Sequence, residues 1–271
     1  MKTNRFSHLI IIFCFSLSAC GQTTGNRNVD FFKQTKAYDL AKAVYASDIS
    51  KIENLVKSDT SLLTFNNPTS GSNVLALSIY TEKYDALKKL LELGGNPNSI
   101  NPLTKESLLM ESITPFGSQF EWRQEHQYAK LLLESGANPN YTIEKDSVNE
   151  KGYSINASNP IVKASSEHIE LLKVLIKHGA EYNIRVNGKT PFAHAVSGRK
   201  FDIINYYIDT LKVNVHEPMR IRSNDSLFIQ DYIHKFMNYE ESSDNYIKTQ
   251  VLIDKLKKMG IDFENYDYKL K

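Results

Sequence analysis

Residues that could carry catalytic chemistry are few in this chain, which has 271 residues, two cysteines and seven histidines. It contains no G-x-S-x-G, H-E-x-x-H, Walker or calcium-loop motif. His168 and Glu170 are two positions apart and therefore cannot share one face of a helix. His178 precedes a predicted helix end, where a cation favours the helix dipole. The sequence therefore predicts no catalytic residue, no cofactor and no metal site, and it predicts that the protein is not an enzyme.

Cys20 is the one residue whose surroundings specify a reaction. Lys2 and Arg5 precede an apolar run over 9–17, and Leu17-Ser18-Ala19-Cys20 follows with small residues. This order is typical of a secretory signal peptide, and the apolar run is too short to span a bilayer. The ending also resembles the lipobox of bacterial lipoproteins. That resemblance implies diacylglycerol on the Cys20 sulfur and cleavage of residues 1–19. The alternative is an ordinary signal peptide that happens to contain a cysteine.

The residues around the predicted cleavage site also indicate a location. Cys14 leaves with the signal and Cys20 carries lipid, so no disulfide or thiolate metal site is expected. Residues 20–35 are predicted to form a lipidated, flexible tether. Position 21 is not Asp, and the Gram-negative lipoprotein pattern then implies release to the outer membrane. The expected location is the bacterial cell envelope, lipid-anchored at the outer membrane and facing the periplasm.

The composition predicts a folded protein that does not bind nucleic acid. Hydrophobic residues make up 41% of the chain and charged residues 24%, which is typical of a globular protein. The net charge is +2, from 33 basic and 31 acidic residues. Because this balance is so close to zero, it provides no electrostatic attraction to nucleic acid. The membrane is expected to be contacted through the lipid on Cys20.

An internal repeat organises the rest of the chain. Residues 90–98, 132–140 and 175–183 align without gaps, and each segment ends an apolar-periodic stretch with a glycine. Such a glycine is typical of the left-handed stop after a helix. Shorter helical segments are predicted to begin after Asn73, Asn159 and Thr190. Thr190 can cap its helix, and the proline that follows suits the first helical turn.

These segments resemble ankyrin repeats. The helix starts resemble the T-P-L-H-x-A opening, and the glycine segments resemble the closing pattern Leu-Leu-x-x-Gly-Ala-x-x-Asn. The resemblance implies an all-α solenoid of about six helix-turn-helix repeats over 36–265, followed by a tail at 266–271. The outermost repeats, near 40–55 and 226–263, match more weakly and suit caps. Ankyrin proteins bind other proteins through an extended concave face.

The chain departs from regular ankyrin repeats in two ways. The histidine of the opening motif is absent from every copy. The glycines are also further apart than the family period of about 33 residues. An enlarged connection between helices falls between Glu111 and Lys130, and an enlarged finger loop covers 141–158. Both insertions are expected to give this protein a surface of its own.

Aromatic residues in the two insertions are the candidates for binding a partner. Phe116, Phe120 and Trp122 lie in the enlarged helix connection, and Tyr141 and Tyr153 belong to the enlarged finger loop. Large apolar groups in irregular segments either anchor a partner or fold back as a local core that holds the loop. Both alternatives stay open for all five residues.

Three functions compete at this level. The first is a membrane-tethered, non-enzymatic protein-binding module, and in its sharper form an immunity protein that neutralises a secreted toxic effector. Ankyrin-like lipoproteins that resemble this chain occur as partners of phospholipase effectors, so the resemblance implies such a partner. The second is a periplasmic scaffold or adaptor for endogenous envelope proteins, and the third is an enzyme built on a helical stack.

Overall fold

A computed structural model describes residues 28–113, 126–222 and 225–270. In these residues, α-helices follow one another along the chain, with two short hairpins between them. The helices are α1 (Tyr38–Tyr45), α2 (Ile49–Ser58), α3 (Val74–Tyr80), α4 (Tyr84–Glu92), α5 (Leu108–Ile113), α6 (Gln127–Glu134), α7 (Pro160–Glu167), α8 (Ile169–Lys177), α9 (Pro191–Ser197), α10 (Phe201–Asn205), α11 (Ile229–Phe236) and α12 (Asp244–Lys258). The strands are β1 (Ser147–Val148), β2 (Ser154–Ile155), β3 (Arg220–Arg222) and β4 (Asp225–Leu227).

The helices stack in two layers. The inner layer consists of α1, α3, α5, α7, α9 and α11, each in contact with the next, while α2, α4, α6 and α8 pack on the outside. A π-helical turn, Tyr206–Thr210, extends α10, and 3-10 turns at Val29–Phe32 and Thr60–Leu63 close the N-terminal end. The prediction of a mostly helical repeat fold is confirmed. The number of ankyrin repeats stays a prediction.

Side-chain caps start α3, α7 and α9, and the cap at Thr190 is the one that the sequence predicts. The side-chain oxygens of Asn73 and Asn159 each accept a hydrogen bond at 2.9 Å from the backbone N–H three residues later, and Thr190 does the same at 3.1 Å. Each cap satisfies a backbone donor that the first helical turn would otherwise leave unpaired. Proline directly after Asn159 and Thr190 adds a helical φ where no N–H is required.

Glycines end the outer helices, and asparagines then join neighbouring repeats. Gly94, Gly136 and Gly179 have φ of 97°, 91° and 86°, the left-handed region that favours glycine. The Asn98 side chain donates to the Gly136 carbonyl at 2.9 Å and accepts from the N–H two residues beyond that glycine at 2.7 Å. Asn140 makes the same two contacts around Gly179. The closing asparagine of the motif therefore fixes the position of the next repeat.

One continuous apolar core lies between the two layers. Leu87, Leu90, Leu132, Leu172 and Leu175 are all fully buried in it. They come from the periodic faces of α4, α6 and α8, so the same spacing that predicts the helices also fills the space between them. Shortening one such leucine to alanine should destabilise the fold by about 2–5 kcal/mol.

The first insertion and the N-terminal segment lie largely outside the described residues. Phe116, Phe120 and Trp122 are not described, nor is Cys20 with its signal peptide, so their predicted roles stay predictions. Within the described ranges, no helix has both the length and the apolar character needed to cross a bilayer.

The C-terminal segment, predicted only as a tail after the repeats, packs against α11. The Tyr266 hydroxyl donates to Asp231 Oδ2 at 2.6 Å, and the Lys269 backbone N–H donates to Asp231 Oδ1 at 2.7 Å. The Asp231 side chain is completely buried and also accepts from the Phe228 N–H. One carboxylate therefore joins the start of α11 to the end of the described chain.

Candidate protein-binding groove

Equivalent positions of the inner helices form a row across one face of the stack. The row is the fourth residue after each helix cap, at the place written x in the T-P-L-H-x-A pattern. Its members are Leu77, Glu111, Lys163, His194 and Tyr232. Each of these residues lies about one helical turn after its own cap. Because the inner helices stack side by side in the same direction, the five side chains lie at the same level of the stack. We call this set the inner row.

A groove of about 300 Å³ lies beside the middle of the inner row. The returning side of the segment 141–158, which we call the finger, forms one wall, and α5, α7 and α9 form the other. Its lining includes Glu106, Ile113, Asn156, Lys163, Glu167 and His194. The groove is therefore open to solvent, and its lining mixes charged with apolar side chains. These properties suit a protein segment better than a small apolar ligand, which requires an enclosed apolar pocket.

An ion pair neutralises one end of the groove. Lys163 Nζ lies 2.7 Å from a Glu106 carboxylate oxygen, and the two side chains are only 17% and 28% exposed. Partial removal from water strengthens such a pair relative to one on the open surface. Lys163 and Glu106 neutralise each other, so this end of the groove attracts a partner through neither of these two charges.

Glu111 is buried beside the loop that carries Asn101, with 3% of its surface exposed. Burial raises the pKa of its carboxyl to about 7, which hydrogen bonds from Asn101 and Tyr80 partly oppose. The Asn101 amide donates to Glu111 Oε1 at 3.1 Å and to the Ser70 carbonyl at 3.3 Å. A pKa near 7 is also what a general base requires. Because the carboxyl is enclosed and holds two loops to α5, its position fits a structural role.

The other end of the groove is basic. Burial, followed by the nearby charge of Lys189, lowers the pKa of His194 to about 4, so His194 is neutral at physiological pH. Burial, followed by the charge of Arg220, lowers the pKa of Lys189 to about 8. Lys189 Nζ also donates to Ser197 Oγ at 2.9 Å. Positive charge therefore collects at the α9 end, where no carboxylate pairs with Lys189 in the described residues.

Hydrogen bonds fasten the finger to the loops on both sides of it. Within the finger, β1 and β2 form an antiparallel hairpin. The contacts to neighbouring loops are Tyr141 Oη to the Lys105 carbonyl (2.9 Å), Asn149 to the Leu103 carbonyl (2.8 Å), Lys151 Nζ to the Pro68 carbonyl (2.7 Å) and Asn187 to Asp146 (2.7 Å). These contacts hold the groove wall in place before any partner arrives, which reduces the entropy lost on binding.

The two tyrosines that the sequence selects in the finger lie in different surroundings. Tyr141 packs on a small apolar cluster of Met110, Ile143 and Ile155, and burial raises its pKa. This placement favours the alternative in which Tyr141 folds back to hold the loop. Tyr153 is 36% exposed beside the end of the hairpin, where Val148 is 67% exposed. Tyr153 therefore stays available to contact a partner.

Sequence reasoning missed most of the groove. Glu106, Glu111, Lys163, Lys189 and His194 are not among the residues that the sequence selects as site candidates. The signal was present at the x position of each opening motif, where Glu111, Lys163 and His194 interrupt otherwise apolar or small residues. At Lys163 and His194 the polar side chain lines the groove, whereas Glu111 is buried and accepts a hydrogen bond from Asn101.

This arrangement of helix pairs, glycine stops and loop fingers defines a protein-binding repeat module. Residues 161–206, from α7 to the start of the π-helical turn, match the family model described as ankyrin repeats (many copies). Ankyrin repeats are protein–protein interaction modules, typically without catalytic activity. No curated protein matches the chain. In the parts of the chain with described coordinates, no three His, Cys, Asp or Glu side chains group to hold a metal.

Proposed function

We propose that this protein is a membrane-tethered, non-enzymatic protein-binding lipoprotein of the bacterial envelope, and that it neutralises a secreted toxic effector such as a phospholipase. The ankyrin match over 161–206 supports the protein-binding part. The charge, apolar run and small residues that lead to Cys20 support lipid attachment and export.

The fixed finger is the observation that carries the proposal of one dedicated partner. Hydrogen bonds hold it to loops on both sides, and its residues 156–158 line the groove. Pre-organised, irregular surfaces favour one complementary partner over many, because other shapes meet steric clashes or unpaired polar groups. A general scaffold that binds several envelope proteins has no need of such a wall.

A pull-down from crosslinked envelope extract tests the partner. The bait is residues 21–271, without signal or lipid, and captured proteins are identified by mass spectrometry. We expect one stoichiometric protein that is toxic when produced alone, and we expect Tyr153→Ala to reduce its capture. The matched control is Val251→Ala on α12, an exposed apolar residue far from the finger in sequence. Many weak endogenous partners would instead favour the scaffold or adaptor.

Lipid attachment is tested separately by Cys20→Ser. The wild-type protein should incorporate labelled palmitate and enter the detergent phase, because several acyl chains bind a membrane firmly. The variant should do neither. Equal labelling of the two proteins would refute the lipoprotein assignment without affecting the protein-binding groove.

A further inference from the structure

Arginines in the described residues have no acidic partners. Every ion pair in this part of the chain, ten in all, uses a lysine as its cation. Arg185, Arg199, Arg220 and Arg222, the four arginines of the described ranges, belong to none of them. A guanidinium offers five donors in a planar fork that fits a carboxylate in bidentate fashion. Leaving all four without carboxylates is unusual in a chain with almost as many acidic as basic residues.

Two adjacent loops bring Lys189, Arg220 and Arg222 together. Lys189 pairs with Arg220 across an antiparallel bridge, which places both side chains on one face. Arg222 follows two residues later in β3, so it faces the same side. The loops are joined by hydrogen bonds from the Ile221 N–H to the Gly188 carbonyl (2.8 Å) and from the Thr190 N–H to the Met219 carbonyl (2.9 Å). We call Lys189, Arg220 and Arg222 the basic strip.

The basic strip continues the inner row. Lys189 Nζ lies 5.6 Å from the ring centroid of Tyr232, the last member of that row. Burial raises the pKa of Tyr232 to about 12, while the charges of Arg220 and Arg222 act on it in the opposite direction. Lys189 also acts on the imidazole of His194, which lines the groove. The strip therefore begins where the groove ends.

The nearby carboxylates are already engaged elsewhere. Asp231 is fully buried and accepts hydrogen bonds from Phe228, Tyr266 and Lys269. Asp225 lies opposite Arg222 in the β3–β4 hairpin, yet its ion pair is with Lys269, at 4.0 Å. The strip thus combines half-buried and exposed cations, none of which has a carboxylate within ion-pair distance in the described residues. Bringing such charges together is unfavourable unless an anion is bound.

We infer that the basic strip binds an extended, acidic segment of the partner protein, whose Asp or Glu carboxylates pair with Arg220 and Arg222 while the chain continues into the groove. The inference rests on the proposed protein-binding function and names the chemistry of the partner. Three cations at the end of a groove suit a few carboxylates. A nucleic acid or an anionic membrane would require a broad basic surface, and the net charge of +2 does not provide one.

Fluorescence anisotropy tests the inference on the protein purified from membranes in non-ionic detergent. The probe is a labelled peptide of alternating Glu and Ser, and the reference peptide has Gln in place of Glu. We expect the Glu peptide to bind at least about tenfold more tightly and to weaken as salt rises. The double variant Arg220→Gln with Arg222→Gln should lose this preference. The control, Arg199→Gln, changes another unpaired arginine, which instead donates to the Phe236 carbonyl.

Three results would overturn the inference: equal binding of the two peptides, an unchanged preference in the double variant, or tighter binding of phosphatidylglycerol vesicles than of the Glu peptide. Circular dichroism of each variant verifies the fold.

The pull-down distinguishes a failure of this inference from a failure of the proposed function. A partner captured equally by wild type and double variant refutes the strip alone, whereas peptide binding without any captured partner refutes the dedicated-partner function alone.

Discussion

Replacing Glu111 by glutamine should stabilise the protein at pH 8 and have little effect at pH 4. Glu111 is buried, and burial raises the pKa of its carboxyl from an ordinary 4.5 to about 7. The folded protein therefore binds this proton more tightly than the unfolded chain does. The resulting stability is fully present below pH 4.5 and is lost as the pH rises through 7.

The magnitude follows from the change in proton affinity. A rise in pKa from 4.5 to about 7 corresponds to about 3 kcal/mol of unfolding free energy, lost between those pH values. The slope over this interval is about −1.4 kcal/mol per pH unit, since the folded state holds one proton more. Glutamine keeps the oxygen that accepts from Asn101 and cannot ionise, so its stability should not show this loss.

Urea unfolding followed by far-UV circular dichroism at several pH values between 4 and 8 provides the measurement. The difference between wild type and Glu111→Gln isolates Glu111, because all other titrating groups occur in both proteins. Glu134→Gln is the matched control, since its side chain is 53% exposed on α6 and should show no such pH-dependent difference. If wild type and Glu111→Gln lose stability in parallel above pH 5, the buried carboxyl does not titrate as the structure indicates.

Two further changes test how the repeats and the C-terminal segment are held. Asn140→Ala removes both hydrogen bonds around Gly179 and should lower the free energy of unfolding by about 1–2 kcal/mol, measured by urea unfolding. No change would mean that water replaces these exposed bonds. Asp231→Ala leaves the Tyr266 hydroxyl and a backbone N–H without their acceptor, so carboxypeptidase should remove the last residues faster than from wild type. Equal digestion would show that other contacts hold the segment.

Local signals in the sequence were sufficient for the repeat framework. Asn73, Asn159 and Thr190 cap the inner helices α3, α7 and α9, and glycines end the outer helices α4, α6 and α8. Both signals depend only on residues within one turn. The periodic leucines then determine which face of each helix is buried. These features need no knowledge of distant residues, so one sequence can reveal them.

The groove could not be predicted in the same way, because it depends on contacts between residues far apart in the chain. The pairing of Glu106 with Lys163 and the bridge between Lys189 and Arg220 exist only once the loops have stacked. The role of Asp231 was hidden for the same reason, since the segment it binds has no apolar periodicity. Tyr141 illustrates this limit of sequence reasoning, because a tyrosine can either anchor a partner or fill the core of a loop.

The fold itself explains why recognition should concentrate at the basic end. Caps, glycine stops and closing asparagines fix the repeats through their contacts with the backbone. The inner row is not needed for that purpose, so its residues can differ between copies. Glu111 is enclosed and Lys163 is neutralised by Glu106, so neither can offer its charge to a partner. Positive charge without an ion-pair partner in the described residues begins at Lys189 and continues through β3. A carboxylate that bound at Lys163 would have to displace Glu106, whereas at the strip it would supply the missing anion.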